Sequence, residues 1–296
     1  MKYFQLFVLL IFISSCGGTK NITVTQQTKT PKVVEATATD SITKKEESVL
    51  VESIPIEPVT ETIEKIAPTE NVIIETVNDE SPQAFNHNEW HFLLQKHVSN
   101  QGNVNYNGFK TDRRALLSYI SSLSDSMPNN TWNKEDKLAY WINAYNAMTI
   151  DLILRHTPIK SIKDIKDPWD QRYWKLGNKW YNLNEIEHDI LRKMGDPRIH
   201  FGIVCASFSC PKLQNEAFIA SNLENQLTNA TKEFLSDSKR NEISENQIKL
   251  SKIFQWFGKD FKQNGSLIDF LNKYAPVTIS EKAKKSFKDY NWSLNK

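Results

Sequence analysis

Asp196–Pro211 reads DPRIHFGIVCASFSCP, and the fold turns on how this stretch is read. Ile199, Phe201, Ile203 and Val204 form a short apolar run. Asp-Pro bounds it on one side and a turn rich in Ser, Cys and Pro on the other. A short apolar run between turn residues reads as one buried strand, here over 199–205. His200 lies inside it, Cys205 and Cys210 sit at its exit, and His188 lies shortly upstream. If the chain has a reactive site, it is expected here.

Most of the sequence around this stretch is helical in pattern. Lys134–Thr157 is the longest expected helix, with Asn133 as its N-cap, Asp136 at the N3 position and Pro158 ending it. Its middle, LAYWINAYNAMTIDLIL, is apolar nearly all round, which places it at the centre of the core. Asn143 and Asn146 sit three apart on adjoining faces. A buried amide without a partner costs about 1–3 kcal/mol, so these two either tie the helix to neighbouring loops or orient a catalytic group.

Helices are also expected at His87–Val98 and Asp112–Ser124, with a short extended piece at Val104–Tyr106. Gly177-Asn178, between Tyr173–Leu176 and Lys179–Leu183, signals a hairpin. Asn184 is expected to start a short helix with Glu187 at N3, and Gly195 to stop it. Ser221 and Glu224 read as the capping box of a helix running to about Leu235. Ile243–Leu250 reads as a second hairpin, followed by helices around Lys252–Phe261, Leu267–Tyr274 and Glu281–Phe287. The expected fold class is α+β: a helix-rich single domain over 83–296, with short strands around the buried strand 199–205.

The rest of the chain differs in composition. All eight Trp lie after Phe85, and residues 17–82 contain no Phe, Tyr or Trp. Without large side chains that segment cannot offset its ordering entropy, and a disordered linker spanning roughly 45 Å is expected. The formal net charge of +2, with no dense basic run, argues against a nucleic-acid partner. With nine glycines and no Gly-rich phosphate loop, no nucleotide site is expected, nor any other cofactor.

Residues 1–16 combine Lys2, an apolar run Leu6–Ile13 too short to span a bilayer, and Ile13-Ser14-Ser15-Cys16. This order resembles a bacterial lipoprotein signal peptide. The resemblance implies acylation of Cys16, with palmitate or a similar chain, and anchoring to the lipid bilayer of the cell envelope. Gly17 after the cysteine favours the outer membrane, facing the periplasm.

Three motifs, WINAYNA (141–147), LNEIEH (183–188) and DPRIHFGIVCASFSCP (196–211), together with Tyr290-Asn291-Trp292-Ser293, carry a second resemblance. The chain is similar to the domain-of-unknown-function 547 family from about Gly102 to Trp292. The family's motif positions fall on Asn143, Asn146, Glu187, His188, His200, Cys205, Ser209, Cys210 and Pro211. The resemblance implies little chemistry, because the family is named for its unknown function.

The residues themselves allow three readings. On a regular strand His200 and Cys205, five apart, face opposite sides about 16 Å apart at roughly 3.3 Å per residue. His188 is then the better partner for Cys205. A cysteine hydrolase or acyl transferase would use Cys205 as nucleophile, His188 as base and Glu187 or Asn143 to orient it, with the N–H groups of Ala206 and Ser207 as oxyanion hole. Alternatively Cys205 and Cys210 form a structural disulfide, as in most exported domains, if the chain turns back after Ala206. The domain then binds an envelope protein, peptide or glycan, with Trp169, Tyr173, Trp174 and Trp180 as a candidate surface. A zinc site from His188, His200, Cys205 and Cys210 is the weakest reading, because Cys-x4-Cys is looser than a typical knuckle. No metal is expected. The helical pair His87 and His91 has no further ligand nearby and reads as packing.

Overall fold

A computed structural model describes residues 84–296. The expected signal segment with Cys16 and the expected linker 17–82 lie outside the described residues. Among the described residues the architecture is α+β, rich in helices, with one sheet of two strands and one of three.

The organising element is α4, Lys134–His156, whose residues from Leu138 to Leu154 are all buried. Asn133 caps it by accepting from the Asp136 N–H. Around it pack α1 (Asn88–His97), α2 (Tyr106–Thr111) and α3 (Arg113–Asp125). α2 was not expected. Val98 and Val104 pair as an isolated bridge, and Asn105 then caps a turn of helix where an extended piece was read. A buried carboxylate holds this side of the core together. Asp151 on α4 accepts from Arg113 at 3.0 Å, Arg155 at 2.6 Å and the Trp174 indole at 2.9 Å.

The first hairpin forms as expected, with β1 (Trp174–Leu176) against β2 (Lys179–Tyr181) and Gly177 left-handed in the turn. Asn182 rather than Asn184 begins the next helical stretch, accepting from the Glu185 N–H. Glu185–Leu191 is wound as a π-helix, and Gly195 ends the stretch at φ 74°. α6 (Leu223–Ser236) has no side-chain cap. Glu224 is drawn away from the expected capping box to pair with Arg198.

The stretch 196–211 differs from expectation in form though not in importance. Ile199–Gly202 is one helical turn, α5, and not the start of a buried strand. Among the described residues no neighbouring strand serves its exit. The Asn146 side chain does that work, donating to the Gly202 carbonyl at 2.9 Å and accepting from the Val204 N–H at 2.9 Å. Winding the run into a turn divides its apolar residues between two cores. Ile199, Ile203 and Val204 join the α4 core, while Phe201 enters a second cluster with Phe234, Phe254, Phe261 and Phe270.

That second core lies under β3 (Glu242–Ile243), β4 (Gln247–Leu250), α7 (Ile253–Trp256) and α8 (Leu267–Asn272). The expected hairpin Ile243–Leu250 is β3–β4. The expected helix near Glu281–Phe287 is instead β5 (Lys284–Phe287), parallel to β4. A seven-residue segment nucleates a helix poorly, and the open edge of β4 offers it a ladder. Among the described residues no helix is long and apolar enough to cross a membrane.

Candidate functional site

A cavity of about 300 Å³ lies where the two cores meet. It gathers most of the residues singled out in the sequence: Glu187, His188, His200, Cys205 and Cys210 all line it. The strand geometry that set His200 apart from Cys205 does not hold, because the helical turn and the bend after it bring both to the cavity. Asn143 is not at the cavity. Its amide is used on the Phe218 backbone, donating to the carbonyl at 2.7 Å and accepting from the N–H at 3.0 Å. Asn143 and Asn146 are both clips from α4 to neighbouring chain.

Cys205 and Cys210 are bonded as a disulfide, with Cα atoms 6.3 Å apart. The reversal that closes the loop falls at Ala206, a non-glycine residue at φ 57°. The C-terminal segment pins the loop from outside: the Phe208 N–H donates to the Ser293 carbonyl, the Ser209 N–H to the Asn291 carbonyl and the Asn295 N–H to the Ala206 carbonyl. Arg240 clamps it from another side, donating to the carbonyls of Cys210 and Phe208. The Tyr290 hydroxyl lies 3.3 Å from both sulfurs. Ala206 and Ser207, expected to form an oxyanion hole, are not among the cavity's lining residues. Nor do the four residues of the zinc reading form a ligand set, since the two sulfurs are bonded to each other.

The polar groups are held by a network. Tyr145 of α4 donates to Glu187 Oε2 at 3.1 Å. Burial pushes the Glu187 carboxyl up to about 7, against the pull of Tyr145 and Arg192. Arg192 donates from Nη1 to His188 Nδ1 at 2.7 Å and from Nε and Nη2 to both oxygens of Asp260, at 2.6 and 2.8 Å. His188 therefore carries its proton on Nε2 when neutral, and burial and Arg192 lower its pKa. Asp260 also accepts from His200 Nε2 at 2.8 Å, which leaves His200 Nδ1 as the imidazole lone pair. Burial lowers the His200 pKa in spite of Asp260. Burial works to raise Asp260, but its bonds to Arg192 and His200 outweigh that and hold it well below the usual carboxylate range. The His200 ring stacks on Phe257 with centroids 4.0 Å apart.

The other wall is aromatic. Trp169, Trp256, Phe257, Tyr290 and Trp292 line it. Tyr290 and Trp292 lie 4.5 Å apart between centroids, Trp256 and Tyr290 4.8 Å, and Trp169 and Trp292 5.8 Å. Of the aromatic surface expected from the sequence only Trp169 takes part. Tyr173 packs on His156 and Arg155, Trp174 is core, and Trp180 is exposed away from the cavity. His87 and His91 are packing residues: His87 meets the Tyr119 hydroxyl at 2.8 Å, and His91 accepts from the Ala217 N–H.

The family described as "Protein of unknown function, DUF547" matches over residues 129–235. This match supports the DUF547 resemblance. No curated protein and no solved structure matches the chain. The DUF547 match includes Tyr145, Glu187, His188, His200 and both cysteines, and it ends before Trp256, Asp260, Tyr290 and Trp292. Tyr145 was within reach of the sequence, inside the WINAYNA motif, and Tyr290 and Trp292 lie in the C-terminal motif. Arg192, Arg240 and Asp260 carried no signal, because their partners are distant in the chain.

Proposed function

We propose that the chain is a lipid-anchored cell-envelope protein whose DUF547 region binds a peptide, glycan or protein partner in the cavity between the two cores. The observation that carries the binding reading is the cavity itself: an aromatic wall facing a floor of buried, hydrogen-bonded titratable groups, the usual composition of a ligand site. The lipoprotein reading rests on Lys2, the apolar run to Ile13 and Cys16. A bridged Cys205–Cys210 is consistent with an oxidising location. Two measurements test the proposal. The mature N-terminus, read by mass spectrometry from the native membrane, is expected to be an acylated Cys16; an unmodified N-terminus elsewhere overturns the anchor. Tryptophan emission of the purified chain is expected to respond to a fragment set of short peptides and oligosaccharides, and a Trp256→Ala variant to lose that response.

A second reading applies to the reduced chain. Cys205 and His188 line the same cavity, so reduction would put a thiol and an imidazole in one cavity, the residue types of a cysteine hydrolase or acyl transferase; His188 would act as base only after Arg192 releases its Nδ1. Thiol blocking of the purified chain without reductant, read by intact mass, separates the two. No label at Cys205 or Cys210 removes the nucleophile from the oxidised protein, while labelling of both revives it.

A further inference from the structure

We propose that the group entering the cavity is an alkylammonium, held between the aromatic wall and the Glu187 carboxylate. This rests on the reading of the cavity as a ligand site and names the chemistry that the site selects.

The charges lining the cavity have one sign. Glu187 lies at its floor and Asp170 on its rim, and no Lys or Arg is among the lining residues. The nearest guanidinium, Arg192, is committed to Asp260 through Nε and Nη2 and to His188 through Nη1. Both lining histidines are lowered by burial and are neutral at pH 7. An anionic ligand would therefore meet carboxyl groups and no Lys or Arg among the lining residues, the Lys163 ammonium being seated on the Trp292 ring. Glu187 accepts from Tyr145 through Oε2 and makes no other hydrogen bond among the described residues, so Oε1 has room for a donor.

The wall supplies the rest of what an organic cation needs. Trp169, Trp256, Tyr290 and Trp292 are electron-rich rings whose faces attract a positive charge once water is excluded. This attraction already operates on the wall, where the Lys163 ammonium sits 4.5 Å from the centroid of the Trp292 ring. Trp256 is half exposed, and together with Trp292 it presents a stacked pair 5.8 Å apart between centroids. An alkylammonium has the two features this site rewards: apolar groups to cover the rings, and a charge to neutralise Glu187. With its pKa raised to about 7, the Glu187 carboxyl is ionised in only part of the free protein at neutral pH; an ammonium at Oε1 stabilises the ionised form, which a neutral ligand leaves unpaired.

The test is calorimetric titration of the full chain with choline and with its uncharged isostere 3,3-dimethylbutan-1-ol, repeated on Glu187→Gln and Trp256→Ala. Choline is expected to bind at least tenfold more tightly than the isostere. Each substitution is expected to weaken it at least tenfold, while circular dichroism shows both variants folded. Equal affinity for choline and its isostere, or choline binding unchanged in Glu187→Gln, overturns the charge assignment. If choline is silent but neutral sugar or peptide fragments bind and are lost in Trp256→Ala, the alkylammonium proposal is overturned and the cavity remains a ligand site. Silence of every probe removes both.

Discussion

The floor and the wall of the cavity are built differently. The floor is polar, and its side chains come from the segment that matches the DUF547 family. Tyr145, Glu187, His188 and His200 are each tied by a hydrogen bond to another protein group. The wall is aromatic, and most of it comes from sequence beyond that segment, with Trp256, Phe257, Tyr290 and Trp292 held by packing. One residue crosses the division. Asp260 arises beside the wall residues but anchors Arg192 and His200 of the floor. The difference teaches that the titratable chemistry and the environment that tunes it come from separate stretches of chain. Glu187 owes its raised pKa to burial, and the aromatic wall lines the cavity that it borders.

Breaking the link between the two sides should have the largest effect. Asp260→Ala leaves the Arg192 guanidinium and the His200 imidazole without their shared partner. Removing one member of a buried ionic group costs about 3–5 kcal/mol. Urea denaturation checks this, and a loss below about 1 kcal/mol would mean the floor stands without the C-terminal region.

Glu187→Gln sharpens the comparison from the floor side. The folded-state pKa is about 7, above the ordinary 4.5, so the folded protein holds a proton that the unfolded chain releases. The groups facing this carboxyl are Tyr145 from α4, Arg192 from its own stretch, and Asp260 and Tyr290 from the C-terminal region. Its contribution is fully present below pH 4.5 and is lost as pH rises through about 7, a swing of about 3 kcal/mol. Relative to Glu187→Gln, the natural chain should lose about that much stability between pH 4.5 and 8. Equal pH profiles would show that the carboxyl is solvated.

Asn146→Ala removes the clip that shapes the Cys205 approach. It orphans the Gly202 carbonyl and the Val204 N–H, and a loss of about 2 kcal/mol is expected from denaturation. The smallest stability effect is expected at the wall. Trp256 is half exposed, so Trp256→Ala should change stability by less than about 1 kcal/mol. It should nonetheless lower the Glu187 pKa by letting water reach the floor, and a pKa unmoved in this variant would mean the wall does not tune the floor.

The two sides were also unequally legible in the sequence. α4 declared itself, through an unbroken apolar pattern, the Asn133 cap and the Pro158 stop. The floor residues stood out because Glu-His, His and two Cys are conspicuous beside apolar runs. Their arrangement was not legible. A four-residue apolar run is equally a strand or a helical turn, and what decided it was Asn146 serving the peptide groups from 56 residues away. The wall was only partly legible: Trp169, Tyr290 and Trp292 were singled out, but Trp256 and Phe257 were not, because aromatic residues read as core whether or not they border a cavity. Asp260 was hidden because its pairing with His200 spans 60 residues with no local pattern. β5 was misread for a related reason, since the edge of β4, and not the local sequence of Lys284–Phe287, sets its conformation.

The central claim is that wall and floor together make one sheltered site. A carbon-13 NMR titration of the Glu187 carboxyl in the ligand-free chain tests it most directly, with the signal assigned by its loss in Glu187→Gln. A midpoint near 7 is the expected result. A midpoint near 4.5 would contradict the claim, because it would show a carboxyl open to water on a floor that the wall does not cover.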